Sequence, residues 1–271
     1  MQAWVDGHGA DTLALQSRGL AYGDGLFETI AVNAGTPSLL DYHLDRLALG
    51  CRRLAIEADL PLIREETCRY AALLGDGVLK LILTRGDSQR GYAAAAEATP
   101  RRILQGNPAP VYPAEHAEQG VRLFPCRTRL AEQPLLAGLK HLNRLEQVLA
   151  RAEWQGSEYA EGLMLDMSGR VIEGVYSNLF LVRDGQLLTA DLGRCGVAGV
   201  MRAALLDAAA REGIPTSVRD LSLDELQQAD ELFLCNSVYG VWPVRSFVSL
   251  NWSPGPLTRK LQAIARTLLD A

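Results

Sequence analysis

Three lysines are present in the chain, Lys80, Lys140 and Lys260, and one of them sits in a context suited to covalent chemistry. Lys140 lies in Gly138-Leu139-Lys140-His141, where apolar periodicity predicts a helix from about His141 to Trp154. That helix would place Leu142, Leu145, Val148, Leu149 and Ala152 on one stripe. An amine at a helix N-terminus faces the positive end of the dipole, which favours its neutral form, the form that condenses with carbonyls. Position alone, however, favours an ordinary solvated lysine. Glu173 ends the apolar run Val171-Ile172. It reads equally as a surface glutamate at a strand end and as a carboxylate able to keep a heterocyclic nitrogen protonated.

Other segments carry anion-binding chemistry. The loop Gly193-Arg194-Cys195-Gly196-Val197-Ala198-Gly199 runs into a helix beginning at Val200-Met201-Arg202. Free N–H groups at such a start suit a phosphate, and Asn236-Ser237 could add a hydroxyl and further N–H groups. Without context, both read as ordinary turns. Arg46 lies three residues after His43 on one helix face, where its planar fork suits either a phosphate or a neighbouring carboxylate. Arg85 and Arg90 bracket Gly86-Asp87-Ser88-Gln89, followed by Gly91-Tyr92. Arginines there could clamp a substrate carboxylate, although surface loops commonly carry them. Tyr22-Gly23-Asp24-Gly25 reads as a turn before a strand that bears Thr29.

The elements that would position these groups follow from periodicity. Strands are expected at Leu26 to Val32 and Val78 to Thr84, with helices at Tyr42 to Ala58 and Pro61 to Leu74 between them. The stretch Gly106 to Pro113 holds three prolines and reads as a linker. Beyond it come a strand at Val121 to Cys126, the lysine helix, and strands at Gly162 to Asp166 and Val171 to Glu173. Asn178 to Arg183 leads into an Asp184-Gly185 hairpin turn, followed by a helix from Val200 to Glu212. A strand at Glu231 to Cys235 and a helix after Pro256 end the chain. The order implies an α+β fold with a small domain over 1–107, a linker over 108–113 and a larger domain over 114–271.

With 271 residues, 48% hydrophobic and 22% charged, the composition is that of a globular protein. A net charge of −5 argues against a nucleic-acid surface. No apolar run is long enough to span a bilayer, and the first residues lack a signal-peptide pattern, so a cytoplasmic location is expected. The five scattered cysteines contain no C-x-x-C, and the four histidines have no metal-binding spacing. Neither a disulfide framework nor a metal site is expected.

The order of the motifs is more specific than any one of them. Tyr22-Gly-Asp-Gly-Leu-Phe-Glu-Thr29, His43-x-x-Arg46-Leu47, Leu139-Lys140-x-Leu-Asn143, Glu173-x-x-x-Ser-Asn178-Leu-Phe180, Gly196-x-x-Gly-Val-Met-Arg202 and Cys235-Asn236-Ser237 follow one another along the chain. This succession resembles the fold-type IV pyridoxal-phosphate enzymes, which include branched-chain and D-amino-acid aminotransferases and aminodeoxychorismate lyases. The resemblance implies a small and a larger α+β domain with pyridoxal 5'-phosphate between them, and a homodimer. It implies Lys140 as the Schiff-base lysine and Glu173 as the partner of the pyridine nitrogen. Arg46, the amides of Val200 and Met201, and Ser237 would cradle the phosphate. Leu139-Lys140-His-Leu-Asn143-Arg-Leu-Glu-Gln-Val148, Gly199-Val-Met-Arg202 and Thr29 look like the lyase branch, although Phe27-Glu28-Thr29 also occurs among aminotransferases. In that branch Thr29 would assist proton transfer, and Arg90, Asn236 and Tyr92 would contact the small-molecule substrate, 4-amino-4-deoxychorismate, on its way to 4-aminobenzoate and pyruvate. A D-amino-acid or branched-chain aminotransferase is the alternative.

Overall fold

The computed structural model describes residues 2–88, 91–93 and 98–270. The chain forms two compact α+β units. The first comprises Met1–Pro110 with Leu139–Asn143 and Leu269–Ala271; the second comprises Val111–Gly138 and Arg144–Leu268. The chain therefore lends a five-residue segment, the one carrying Lys140, to the first unit.

In the first unit, one antiparallel sheet has the order His8–Gly9, Trp4–Val5, Arg101–Asn107, Gly77–Thr84, Gly25–Asn33, Thr36–Pro37. Strand Gly25–Asn33 alternates from Leu26 to Ile30. Leu26, Glu28, Ile30 and Val32 are buried on one face. There the apolar residues pack with Leu44, Leu47 and Cys51 of helix Leu40–Leu54 and with Ile63, Tyr70 and Ala71 of helix Leu60–Leu74. Phe27 and Thr29 point to the other face and stay half-buried, as do Lys80 and Ile82 opposite them on the next strand. Asp59 caps the second helix, accepting the Leu62 N–H at 2.9 Å, with Pro61 in the first turn. The strand Arg101–Asn107 extends into the stretch expected to be linker, leaving the prolines from Pro108 onward outside the sheet.

The second unit is built on a nine-stranded sheet. Six of its strands form a ring: Asn178–Arg183, Glu231–Asn236, Gly240–Phe247, Val121–Leu130, Glu161–Asp166 and Val171–Gly174, with the last pairing back to the first. The closing register is the single pair Glu173–Asn178. A closed ring has no free edge there, so each strand finds both neighbours within the unit. Its interior is packed by Leu123, Leu163, Leu179, Leu181, Leu232 and Leu234, among others. The Asp184-Gly185 turn joins Asn178–Arg183 to Gln186–Ala190, and both turn residues have positive φ, 51° and 73°, as a type I′ turn requires. Helix Val200–Arg211 follows the glycine loop.

The expected helix around Lys140 is corrected. Its regular part is only Leu145–Arg151, with Arg144 at the N-cap. Residues 139–143 are extended instead. The Phe27 N–H donates to the Lys140 carbonyl at 2.9 Å, the Leu142 N–H donates to Gly25 O at 3.0 Å, and Leu26 bridges His141. Leu139 is fully buried and belongs to the core of the first unit. Pairing to a strand over a hundred residues earlier satisfies the backbone, so a helix gains nothing there. Leu145, Val148 and Leu149 do lie on one side of the short helix, but they are exposed.

Candidate active site

Lys140 is held in place by two motifs that are remote in sequence and adjacent in space. Gly23 ends the helix Arg18–Tyr22 at φ 63°, a conformation that favours glycine. A Cβ there would lie 2.7 Å from Asn143 Oδ1, and the Asn143 amide donates to Gly23 O at 3.1 Å across a separation of 120 residues. Tyr22-Gly-Asp-Gly and Leu139-Lys140-x-x-Asn143 therefore form one local structure. The result is a lysine on an extended segment, its Nζ 4.5 Å from the centre of the Phe27 ring. The helix expected to begin at His141 starts only at Leu145, so Lys140 does not stand at its N-terminus. Thr29 follows Phe27 on the same sheet face and pairs with Lys80, whose Nζ lies 5.3 Å from the same ring. Lys80 escaped the sequence reading, although strand alternation opposite Thr29 was the available signal.

Behind that face is a buried charge cluster. Glu28 accepts from Arg46 Nε at 2.8 Å and from Arg46 Nη2, and it meets His43 Nδ1 at 2.6 Å. Burial would raise the Glu28 carboxyl, but Arg46 and His43 outweigh it and hold it down at about 2. Burial is also the largest influence on His43 and drives its pKa down against the pull of Glu28; the charges of Arg46 and Lys140 add to the effect. A neutral imidazole then donates from Nδ1 to Glu28. Its Nε2 is buried with no hydrogen-bond partner among the described residues. Of the two readings of Arg46, the carboxylate pair is present, and it fixes the guanidinium in one orientation.

Two further arginines of this unit, Arg85 and Arg18, are engaged by protein groups. Arg85 donates to both oxygens of Asp24 and to the carbonyls of Leu54 and Ala55 at the end of helix Leu40–Leu54. Of the two readings of Arg85, the structural one is present, because a carboxylate and helix carbonyls occupy its donors. Burial would raise Asp24, yet Arg85 and Arg18 hold it below the usual carboxylate range. Tyr92 is largely exposed, its ring 5.4 Å from that of Tyr22 and its carbonyl accepting from Arg18 at 2.8 Å. Arg90 lies outside the described residues.

In the second unit, Glu173 is buried and pairs across the ring seam with Asn178. Glu173 Oε2 accepts the Val197 N–H at 2.9 Å. Asn178 Oδ1 accepts the Gly199 N–H at 3.0 Å, and its amide donates to Val197 O at 2.9 Å. The glycine loop is thus tied by side chains on both sides of the seam. A Cβ on Gly199 would lie 2.0 Å from Asn178 Oδ1, so no larger residue fits while that bond is made. Gly199 caps helix Val200–Arg211 without a side-chain cap of its own. The first-turn amides of Val200 and Met201 therefore suit an anion, and a buried carboxylate beside the same loop suits a protonated ring nitrogen. Arg202 points instead into the unit and donates to Thr189 Oγ1 and Ala190 O. Asn236, next to Ser237, accepts from the Val238 and Tyr239 amides through Oδ1, so it shapes the turn that carries Ser237. Among the described residues no group of three His, Cys, Asp or Glu could hold a metal ion.

Replacing Glu28 by Gln leaves Arg46 without its counter-charge, and a loss of about 3–5 kcal/mol in urea unfolding is expected. An unchanged midpoint would contradict the cluster's role. His43 and Glu28 both bind fewer protons folded than unfolded, so their contributions are present above the ordinary values of 6.5 and 4.5 respectively. They are lost as pH falls, first through the depressed imidazole value and then towards about 2. The Tm advantage of the parent over His43→Asn should accordingly shrink between pH 7.5 and 5; a constant difference would contradict a neutral buried imidazole.

Comparison with known proteins places this geometry. The amino-transferase class IV family model matches residues 25–247. The aminodeoxychorismate lyase of Vibrio harveyi is 36% identical over 97% of this chain and 99% of its own. A putative branched-chain-amino-acid aminotransferase of Methanocaldococcus jannaschii is 32% identical over 90% of this chain and 86% of its own. The crystal structure of 4-amino-4-deoxychorismate lyase from Pseudomonas aeruginosa superposes with a TM-score of 0.97 at 64% identity, covering 99% of this chain and 100% of that one. The chain belongs to the class IV amino-transferase family, with the fold-type IV architecture, and within it to the aminodeoxychorismate lyases.

Proposed function

We propose that the chain is a pyridoxal-phosphate-dependent lyase that converts 4-amino-4-deoxychorismate to 4-aminobenzoate and pyruvate. The observation that carries this reading is the sheet face of the first unit, where a lysine amine lies over Phe27 and a hydroxyl, Thr29, is the next residue on that face. Removing a proton from the amine-bearing carbon and returning one to the leaving enolpyruvyl group needs a base and a proton carrier of this kind. The cofactor, when bound, supplies an electron sink.

The residues divide the work as follows. Lys140 would hold the cofactor through its amine, and its Nζ would take the proton from the amine-bearing carbon of the substrate. Glu173 keeps the ring nitrogen protonated. The amides of Val200 and Met201, Ser237 and the oriented guanidinium of Arg46 bind the phosphate. Thr29 Oγ1 returns a proton to the departing three-carbon group. Arg90, Asn236 and Tyr92 orient substrate, and Lys80, beside Thr29, joins them on a carboxylate. Loss of the enolpyruvyl group leaves an aromatic ring, so the reaction runs downhill without an amino-group acceptor.

Reconstituted protein given aminodeoxychorismate and no oxo acid should form 4-aminobenzoate and pyruvate in equal, catalytic amounts. If product appears only when an oxo acid is added, the chain is an aminotransferase instead.

A cytoplasmic homodimer fits the same reading. No helix among the described residues is long and apolar enough to cross a membrane. Leu145, Val148 and Leu149 give the short helix Leu145–Arg151 an exposed apolar side suited to a second copy. In sedimentation the parent should run as a dimer and Leu149→Glu as a monomer; two identical profiles would remove this helix from the interface.

A further inference from the structure

Glu161 opens the strand Glu161–Asp166, ahead of the apolar run Leu163-Met164-Leu165, and it is fully buried. No salt bridge reaches it among the described residues. Four donors do. Its Oε1 accepts the N–H of Gly162 at 2.9 Å and of Val175 at 3.0 Å. Its Oε2 accepts the Tyr176 N–H at 3.3 Å and the Ser177 hydroxyl at 2.7 Å. Three of these donors, Val175, Tyr176 and Ser177, belong to the short crossing that links Glu173 to Asn178. The crossing is further closed by Gly174 N–H donating to Ser177 O at 2.8 Å. A Cβ on Gly174 would lie 2.3 Å from Ser177 Oγ and 2.9 Å from Glu161 Cδ, so the carboxylate and the crossing are packed without slack.

We propose that Glu161 is a positioning residue for the cofactor site: its carboxylate gathers the crossing between Glu173 and Asn178 and so sets the seam on which the ring nitrogen's partner and the glycine loop both depend. The inference rests on the reading of Glu173 given above. A buried carboxylate is costly unless its lone pairs are satisfied, and here backbone and hydroxyl donors take the place of a counter-ion. Burial pushes its pKa up to about 7 even against those donors, in keeping with the lack of a neighbouring cation. Whatever moves the carboxylate moves the crossing, and with it the two side chains that tie down residues 197–199. Partners one layer behind a reactive group orient it in this way.

A carboxamide cannot take over the role. It offers one accepting oxygen, and its NH2 would face two N–H or O–H donors. Glu161→Gln should weaken cofactor binding by about ten-fold and shift the pH midpoint of the bound cofactor's visible absorbance by about half a unit, in the same direction as Glu173→Gln. Ser177→Ala removes one donor and leaves the carboxylate, and it should move both readouts the same way by about a third as much on a logarithmic scale. It decides the matter if Glu161→Gln does not fold. If Glu173→Gln shifts the absorbance while Ser177→Ala and any folded Glu161→Gln leave affinity and midpoint at parent values, Glu161 is only a buried structural group and the inference is overturned. If Glu173→Gln itself shifts nothing, the reading of Glu173 fails and takes this inference with it.

Discussion

A sheet wound into a ring has to close somewhere, and the residues at the closure are held by both neighbours at once. In the second unit the closure is a single register pair, Glu173 with Asn178. Both residues are polar, buried and bonded to the same glycine loop. The seam therefore does two jobs with one set of bonds. It completes the hydrogen-bond circuit of the strands, and it fixes the loop whose end becomes the N-terminus of helix Val200–Arg211. A site built on such a seam inherits the rigidity of the barrel rather than of a loop.

The same economy governs the buried and half-buried charges. Glu28 is held by an arginine and a histidine, Asp24 by two arginines, and Glu161 by three amides and a hydroxyl. Each lies beside a segment proposed to carry chemistry: Glu28 one residue from Thr29, Asp24 at the turn that receives Asn143, Glu161 beneath Glu173. Removing one partner from such a cluster leaves the other desolvated and unpaired, which is why these clusters specify geometry more sharply than apolar packing would.

Much of this was legible in the residues. Alternation found Gly25–Asn33 and Gly77–Thr84 nearly to their ends, and Asp184-Gly185 announced its hairpin. Local patterns failed where a distant strand supplied the partner. The apolar spacing from Leu142 to Ala152 is helical, yet its first residues gain backbone bonds from strand Gly25–Asn33, and only Leu145–Arg151 winds into a helix. The arginines were ambiguous for a chemical reason: a guanidinium fork suits a phosphate and a carboxylate alike, and nothing near Arg46 or Arg85 in the sequence reveals that Glu28 and Asp24 face them. Glu161 left one unused trace, a lone carboxylate opening the run Gly162-Leu163-Met164-Leu165.

One amine must carry the cofactor, and only three lysines can compete. Reduction of the reconstituted protein with borohydride, followed by proteolysis and mass spectrometry, reads this directly. A phosphopyridoxyl group is expected on the peptide containing Lys140 and none on those containing Lys80 or Lys260. Label on Lys80 or Lys260 in its place, or no label on a protein that nonetheless turns over substrate, would contradict the role of Lys140.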